Sequence, residues 1–329
     1  MRYGRFILSV LLGCGVANAW GLNIQQYPAL TEFIEYMVSE HGFSSAELDR
    51  VFTGATLRPQ VVEAISRPSE RLPWYRYRQL FLTDTNVENG VKFAARHAPT
   101  LRRAEREFGV PPEIIVAIIG VETRYGQSMG QFPVLDSLTT LTLEYPRRSA
   151  FFRSELEQFL LLAREQGLDP LTTKGSYAGA IGVPQFIASS YREYAVDFNG
   201  DRRTDLIAQE DDAIGSIGNY LARHRWRAGA PVVTGPVTPP TDAVRERAST
   251  KLKPLHTVGE LNDAGLAVPA DMAPDTQAGL LRVADGERGD EFRIAFENFY
   301  VITKYNRSIN YALVVAELSR QIAARWTVQ

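Results

Sequence analysis

Glu122 is the residue in this chain whose surroundings point most directly to chemistry. It follows an unbroken apolar run, Ile114-Ile115-Val116-Ala117-Ile118-Ile119-Gly120-Val121, and precedes Thr123-Arg124-Tyr125-Gly126. A carboxyl group at the tip of an apolar helix loses hydration, which disfavours its charged form and raises its pKa. A protein keeps a carboxylic acid protonated near neutral pH in this way, for use as a general acid. The competing reading is a solvated or ion-paired Glu two residues before an Arg, since perturbed carboxyls are enriched at active sites without being confined to them.

Three further stretches carry polar chemistry. Gly175-Ser176-Tyr177-Ala178-Gly179-Ala180-Ile181-Gly182-Val183-Pro184-Gln185-Phe186 allows close backbone approach and presents Ser176, Tyr177 and Gln185 as hydrogen-bonding groups. It lacks the Gly-Lys-Ser/Thr ending of a phosphate loop, and a tight turn between packed helices would account for the same glycines. Asp197, Asn199 and Asp201 alternate as oxygen donors do in the first half of an EF-hand calcium loop, with the Arg203 carbonyl at position seven. Arg202 stands where that loop expects Gly, and Ala208 where it expects Glu. A lengthened loop could close with Glu210, Asp211 or Asp212, of which Asp212 is the expected ligand; a solvated acidic turn is the alternative. Finally, Phe299 to Tyr311 interleaves tyrosines and amides, which suits sugars with their C–H faces and hydroxyls but equally suits a buried helix junction.

The elements that must position these groups are mostly helical. Periodic patterns predict helices over 31–40, 58–67, 73–82 and 86–109, and Ser44-Ser45-Ala46-Glu47 reads as a capping box opening another. Pro111-Pro112 starts the helix that carries Glu122, with Gly126 as its stop. From 229 to 291, prolines and the runs Val232-Val233-Thr234 and Leu266-Ala267-Val268 predict turns and small strands. Helical patterning returns at 292–305 and 311–326. The expected organisation is an N-terminal helical domain (20–95), a core (96–228), a small α/β insertion (229–291) and C-terminal helices completing the core (292–329).

Composition bounds the function. The chain has 329 residues, 45% of them hydrophobic and 22% charged, with a formal charge of -2. It lacks the basic footprint of a nucleic-acid binder. Residues 1–19 read as an export signal, with Arg2 and Arg5 before an apolar stretch and Ala17-Asn18-Ala19 as cleavage site. The sole cysteine, Cys14, follows Leu11-Leu12-Gly13 in a lipobox-like arrangement, so the exported protein either has no cysteine or carries a lipid on it; cleavage after Ala19 is the favoured reading. Neither permits a disulfide.

In order along the chain, Pro111-Pro112-Glu113-Ile114-Ile115, Val121 to Gly126, Tyr145-Pro146-Arg147-Arg148, Gly175 to Ala180, Pro184-Gln185-Phe186, Ala195-Val196-Asp197-Phe198 and Tyr305-Asn306-Arg307-Ser308 resemble the motifs of the lytic murein transglycosylase B family. The resemblance runs from about residue 25 to the C-terminus. It implies a mainly α, lysozyme-like fold. It also implies non-hydrolytic cleavage of the β-1,4 bond from N-acetylmuramic acid to N-acetylglucosamine in peptidoglycan, leaving a 1,6-anhydro end. Glu122 matches the catalytic residue, acting as acid and then as base, and no cofactor is needed for the chemistry. A second carboxylate is not required when the attacking hydroxyl belongs to the substrate.

The resemblance also implies supporting roles. Ser176 matches a contact to the muramoyl N-acetyl group. Gln185, Tyr305 and Asn306 match site-lining residues, Tyr305 hydrogen-bonding the Glu. Arg147 and Arg148 match a pair facing glycan, peptide or lactyl carboxylate, and Tyr220 and Tyr311 match aromatic positions of the cleft. Tyr177 and Tyr125 stand where other aromatics occur, a change that preserves stacking. A structural calcium is implied at Asp197, Asn199, Asp201, Arg203 and Asp212. The implied partners are peptidoglycan strands and other cell-wall enzymes, and the implied location is the periplasm, either soluble or anchored to the outer membrane through Cys14. A lysozyme-like hydrolase using Glu122 and a non-catalytic glycan-binding envelope protein remain as alternatives.

Overall fold

The computed structural model describes residues 22–67, 72–239, 241–286 and 289–326. It is mainly α, and its packing divides it into two units that meet in sequence at Thr56 and Leu57. The first contains the helices Pro28–His41 and Ser45–Thr53, closed on Leu30, Phe33, Met37, Leu48 and Phe52. Phe33 meets Phe52 edge to face with centroids 6.0 Å apart. Ser44 does precede the second helix, but its side chain makes no capping bond. A complete capping box forms instead between Thr257 and Glu260.

The second unit is built around the helix Pro112–Thr123. Every residue from Ile114 to Gly120 is buried, so the helix shows no polar stripe and must be covered on all sides. The helices Asp84–Arg96, Ala98–Phe108, Glu210–Arg223 and Ile309–Arg325 cover it. Each fully buried Ile or Val contributes about 1.5–3 kcal/mol relative to exposure. The pattern expected over 86–109 is thus two helices, broken at His97 just before Pro99. Residues 57–67 and 72–95 pack within this larger unit.

A three-stranded antiparallel sheet in the order His256–Thr257, Gln277–Ala284, Asp290–Phe296 accompanies this helical core. Leu280 pairs with Ile294, and Ala278, Leu280, Phe292, Ile294 and Phe296 join Val258 and Leu261 in a separate apolar cluster. Two sequence expectations are corrected here. Residues 290–296 are a strand, and the following helix starts only at Glu297, because Phe292, Ile294 and Phe296 alternate with period two toward that cluster. Leu266-Ala267-Val268 is coil; Leu266 is buried in the cluster without belonging to a strand.

Candidate active site

The chain reverses direction immediately after Glu122. The helix ends at Thr123, and Arg124, Tyr125 and Gly126 then take φ of 50°, 62° and 81° in succession. The stop expected at Gly126 therefore begins at Arg124, because the N–H of Arg124 bonds the Gly120 carbonyl and that of Tyr125 the Ile119 carbonyl. Two non-glycine residues in the left-handed region cost about 1–2 kcal/mol each, held there by surrounding contacts. Thr123 supplies several, its hydroxyl donating to the Val183 carbonyl at 3.0 Å and accepting from the Gly126 N–H at 3.0 Å. Tyr125 is buried and donates to the Asn86 carbonyl at 2.8 Å, so it anchors the turn from beneath and offers no face to a glycan.

Glu122 itself is half-buried, and Tyr311, from the first turn of the helix Ile309–Arg325, donates to its Oε1 at 2.7 Å. Ser308 caps that helix, its hydroxyl accepting the N–H of Tyr311. The donor expected from sequence was Tyr305; its hydroxyl donates instead to the Pro184 carbonyl at 2.6 Å, because it ends the preceding helix, Glu297–Tyr305, opposite the Val183–Gln185 turn. The rings of Tyr305 and Tyr311 are nearly parallel, with centroids 6.4 Å apart. Burial, and next the charge of Glu122, push both phenols well above the ordinary tyrosine range. Both therefore act as neutral donors near neutral pH. Tyr220 stands behind Tyr305, edge to face at 5.0 Å; it is buried, donates to the Lys304 carbonyl at 2.7 Å and packs on His224, a supporting rather than cleft-lining position.

The glycine-rich stretch is explained largely by self-contact. A Cβ on Gly182 would lie 2.2 Å from the Leu206 carbonyl oxygen, and one on Gly130 would lie 2.0 Å from that of Gly175. Met129 and Gly130 thus touch both ends of the stretch, since the Gln185 side-chain amide donates to the Met129 carbonyl at 3.2 Å and to that of Gly182 at 2.8 Å. Gln185, at φ 51°, spends its side chain on this scaffold. Ser176 accepts the N–H groups of Ala178 and Ala180 on its hydroxyl oxygen, leaving its O–H to donate elsewhere, and Tyr177 sits in the same turn.

The structure therefore joins Glu122, Tyr311, Tyr305 and the Pro184–Gln185 turn, with Asn306 directly after Tyr305. Arg147 and Arg148 lie on a separate exposed turn, where Arg148 stacks on Phe151 at 4.1 Å. Thr123 and Met129 are contributors that sequence reasoning missed. Thr123 was visible as the small polar residue after Glu122, whereas Met129 acts only through its carbonyl and has no side-chain signal.

Residues 197–205 form a loop knotted by its own side chains. Asp197 accepts the N–H groups of Gly200 and Arg202 at 2.7 Å each, Asn199 that of Asp201, and Asp201 that of Arg203. Arg202 adopts φ 70°, the left-handed turn that the loop pattern reserves for Gly. Asp212 is fully buried: its Oδ1 accepts from Phe198 and Asn199 and its Oδ2 from Asp205. Burial pushes this carboxyl above its ordinary pKa, while the three N–H donors oppose the shift. Among the described residues no three His, Cys, Asp or Glu side chains converge as a metal cluster.

Comparison with known proteins adds the family. Residues 25–320 match the transglycosylase SLT domain. Over 306 residues, 90% of this chain and 83% of the other, the sequence is 40% identical to the membrane-bound lytic murein transglycosylase B of Escherichia coli K12. Among solved structures, the soluble lytic transglycosylase SltB1 of Pseudomonas aeruginosa superposes with a TM-score of 0.85 at 43% identity, covering 91% of this chain and all of that one. The Escherichia coli lytic transglycosylase Slt35 gives 0.85 at 40% identity, covering 93% and 96%. The chain shares their lysozyme-like fold. It belongs to the SLT-domain transglycosylases and is a lytic murein transglycosylase, an enzyme acting on peptidoglycan.

Proposed function

We propose that Glu122 performs both proton transfers of the reaction. As the acid it protonates the oxygen of the bond from N-acetylmuramic acid to N-acetylglucosamine while the muramoyl C1–O bond breaks. As the carboxylate it then takes the proton of the muramoyl 6-hydroxyl, whose oxygen bonds C1 and closes the 1,6-anhydro ring. No water is consumed, and the carboxyl returns to its protonated form. The observation that carries this reading is a half-buried carboxyl at the end of a buried helix, aimed by a neutral Tyr311 donor at 2.7 Å. The Pseudomonas aeruginosa SltB3, 32% identical, has been solved with a NAG-anhNAM-pentapeptide, which supports an anhydro product here. Mass spectrometry of digested peptidoglycan tests the proposal. Anhydro ends are expected, lighter by one water than the reducing ends a hydrolase would leave; reducing ends alone would overturn it.

Tyr311 positions the carboxyl without touching substrate. Tyr311→Phe is expected to lower kcat about tenfold to a hundredfold, with KM little changed, because misplacing a reacting group costs rate more than affinity. A raised KM at constant kcat would instead make Tyr311 a sugar contact. Ser176, with its uncommitted O–H, is assigned to the muramoyl N-acetyl group, and Tyr177 and Asn306 to the glycan. Arg147 and Arg148 are assigned to carboxylates carried by the strand beyond the bond cut. Gln185, Tyr305 and Tyr220 serve chiefly by holding the turn opposite Glu122.

A structural calcium is assigned to the 197–205 loop. Slt35 has been solved in complex with calcium. The donors here mix the carboxylates of Asp197 and Asp201, the amide of Asn199 and the carbonyl of Arg203. Such a set resembles an EF-hand and does not require three acidic side chains to converge. Asp212 serves by shaping the loop through its backbone bonds, accepting from Phe198, Asn199 and Asp205, rather than by joining the donors. Arg202→Gly would remove a left-handed side-chain cost of about 1 kcal/mol and raise the thermal midpoint by about 2 °C. A fall in midpoint would show that the Arg202 side chain contributes contacts worth more than the turn costs.

The protein is assigned to the periplasm. Cleavage after Ala19 and lipidation of Cys14 both fall outside the described residues, and among those described no helix is long and apolar enough to cross a membrane. Intact-mass measurement of the exported protein distinguishes the two forms.

A further inference from the structure

A cavity of about 440 Å³ opens where the end of the strand Gln277–Ala284 meets the start of the helix Ile309–Arg325. Trp74, Leu252 and Val283 form its apolar wall, and Arg282, Arg307 and Thr250 its polar one; no acidic side chain lines it. Among the described residues the exposed Arg307 has no ion-pair partner. Arg282 is held loosely, its Nε 3.7 Å from Asp290. The backbone N–H groups of Ile309 and Asn310 also border the cavity and lack a protein acceptor among the described residues, while Ser308 caps the next N–H. The indole N–H of Trp74 is buried without an acceptor, a state that costs about 1–3 kcal/mol.

Donors and cations beside apolar surface suit a carboxylate on an aliphatic stem, since guanidinium forks match carboxylates in geometry and charge. The cavity wall is tied to the residues around Glu122 through the chain: Arg307 follows Tyr305 by two residues, about 7 Å of chain at most. Ser308 also caps the turn that presents Tyr311 to Glu122. We infer that this cavity is a subsite for a carboxylate of the peptide arm that muramoyl residues carry, gripped by Arg307 and Arg282 at the start of the Ile309–Arg325 helix. The inference rests on the reaction proposed above, which brings a muramoyl residue to Glu122.

The test compares wild type with Arg282→Gln/Arg307→Gln on three substrates: peptide-bearing strands, the same strands with their peptide carboxylates amidated, and strands stripped of peptide. Release of anhydro ends is the readout. The ratio of kcat/KM for peptide-bearing over stripped strands is expected to fall about tenfold in the double variant; amidation should lower the wild-type ratio by at least as much, and the double variant should lose less than wild type does on amidation. An unchanged ratio in the variant, or no effect of amidation, overturns the subsite. Failure of the wild type to release anhydro ends from any of the three would overturn the reaction itself and the subsite with it.

Discussion

Glu122→Gln is expected to reduce release of anhydro-muropeptides from purified peptidoglycan by at least about a thousandfold, the scale of lost general acid–base catalysis. The amide is isosteric and its carbonyl oxygen still accepts from Tyr311, so the helix end and its three left-handed residues keep their geometry. Stability should therefore stay within about 1 kcal/mol of wild type, and the variant should still sediment with glycan strands. An amide can neither give the glycosidic oxygen a proton nor take one from the 6-hydroxyl. Loss of both steps with binding retained would separate the lyase from a glycan-binding protein that has no turnover to lose. Wild-type turnover in this variant would remove Glu122 from the mechanism.

Gly130→Ala should be the most damaging small substitution near the site. Gly130 has φ 91°, and an added Cβ would lie 2.0 Å from the Gly175 carbonyl oxygen and 2.5 Å from the Ser176 nitrogen. Both partners are backbone, so no side-chain rotamer relieves the clash, and the segment after Gly126 must lift off the Ser176 turn. The paired strands Phe132–Pro133 and Lys174–Gly175 would separate with it. A loss of about 3 kcal/mol is expected, lowering the thermal midpoint by about 6 °C. Because Met129 also holds Gln185, the turn opposite Glu122 should shift, and kcat should drop at least about tenfold. Differential scanning calorimetry and the anhydro-end assay measure the two effects; an unchanged midpoint would contradict the close approach of the two turns.

Much of the site was legible because its signals are local. The apolar run before Glu122 is one continuous segment, and complete burial from Ile114 to Gly120 is what such a segment requires. The alternating oxygens of 197–201 are likewise local, and they do fold back onto their own loop. Errors arose where a residue's partner lies far along the chain. The period-two pattern of 290–296 could be told from a helix only by its pairing with 277–284, and the apolar run at 266–268 looked strand-like until burial accounted for it.

The same division holds for the chemistry. Residue types and order were enough to single out Glu122 as the candidate carboxyl, to indicate that the chain is mainly helical, and to show which family it resembles, because hydrophobic periodicity and motif spacing are properties of the chain itself. Which tyrosine reaches that carboxyl was decided only by tertiary structure. Tyr305 and Tyr311 are six residues apart on either side of one helix junction, and the direction of that junction sends one hydroxyl to Pro184 and the other to Glu122. A hydrogen bond between residues 189 positions apart depends on helix packing angles, which no local pattern encodes.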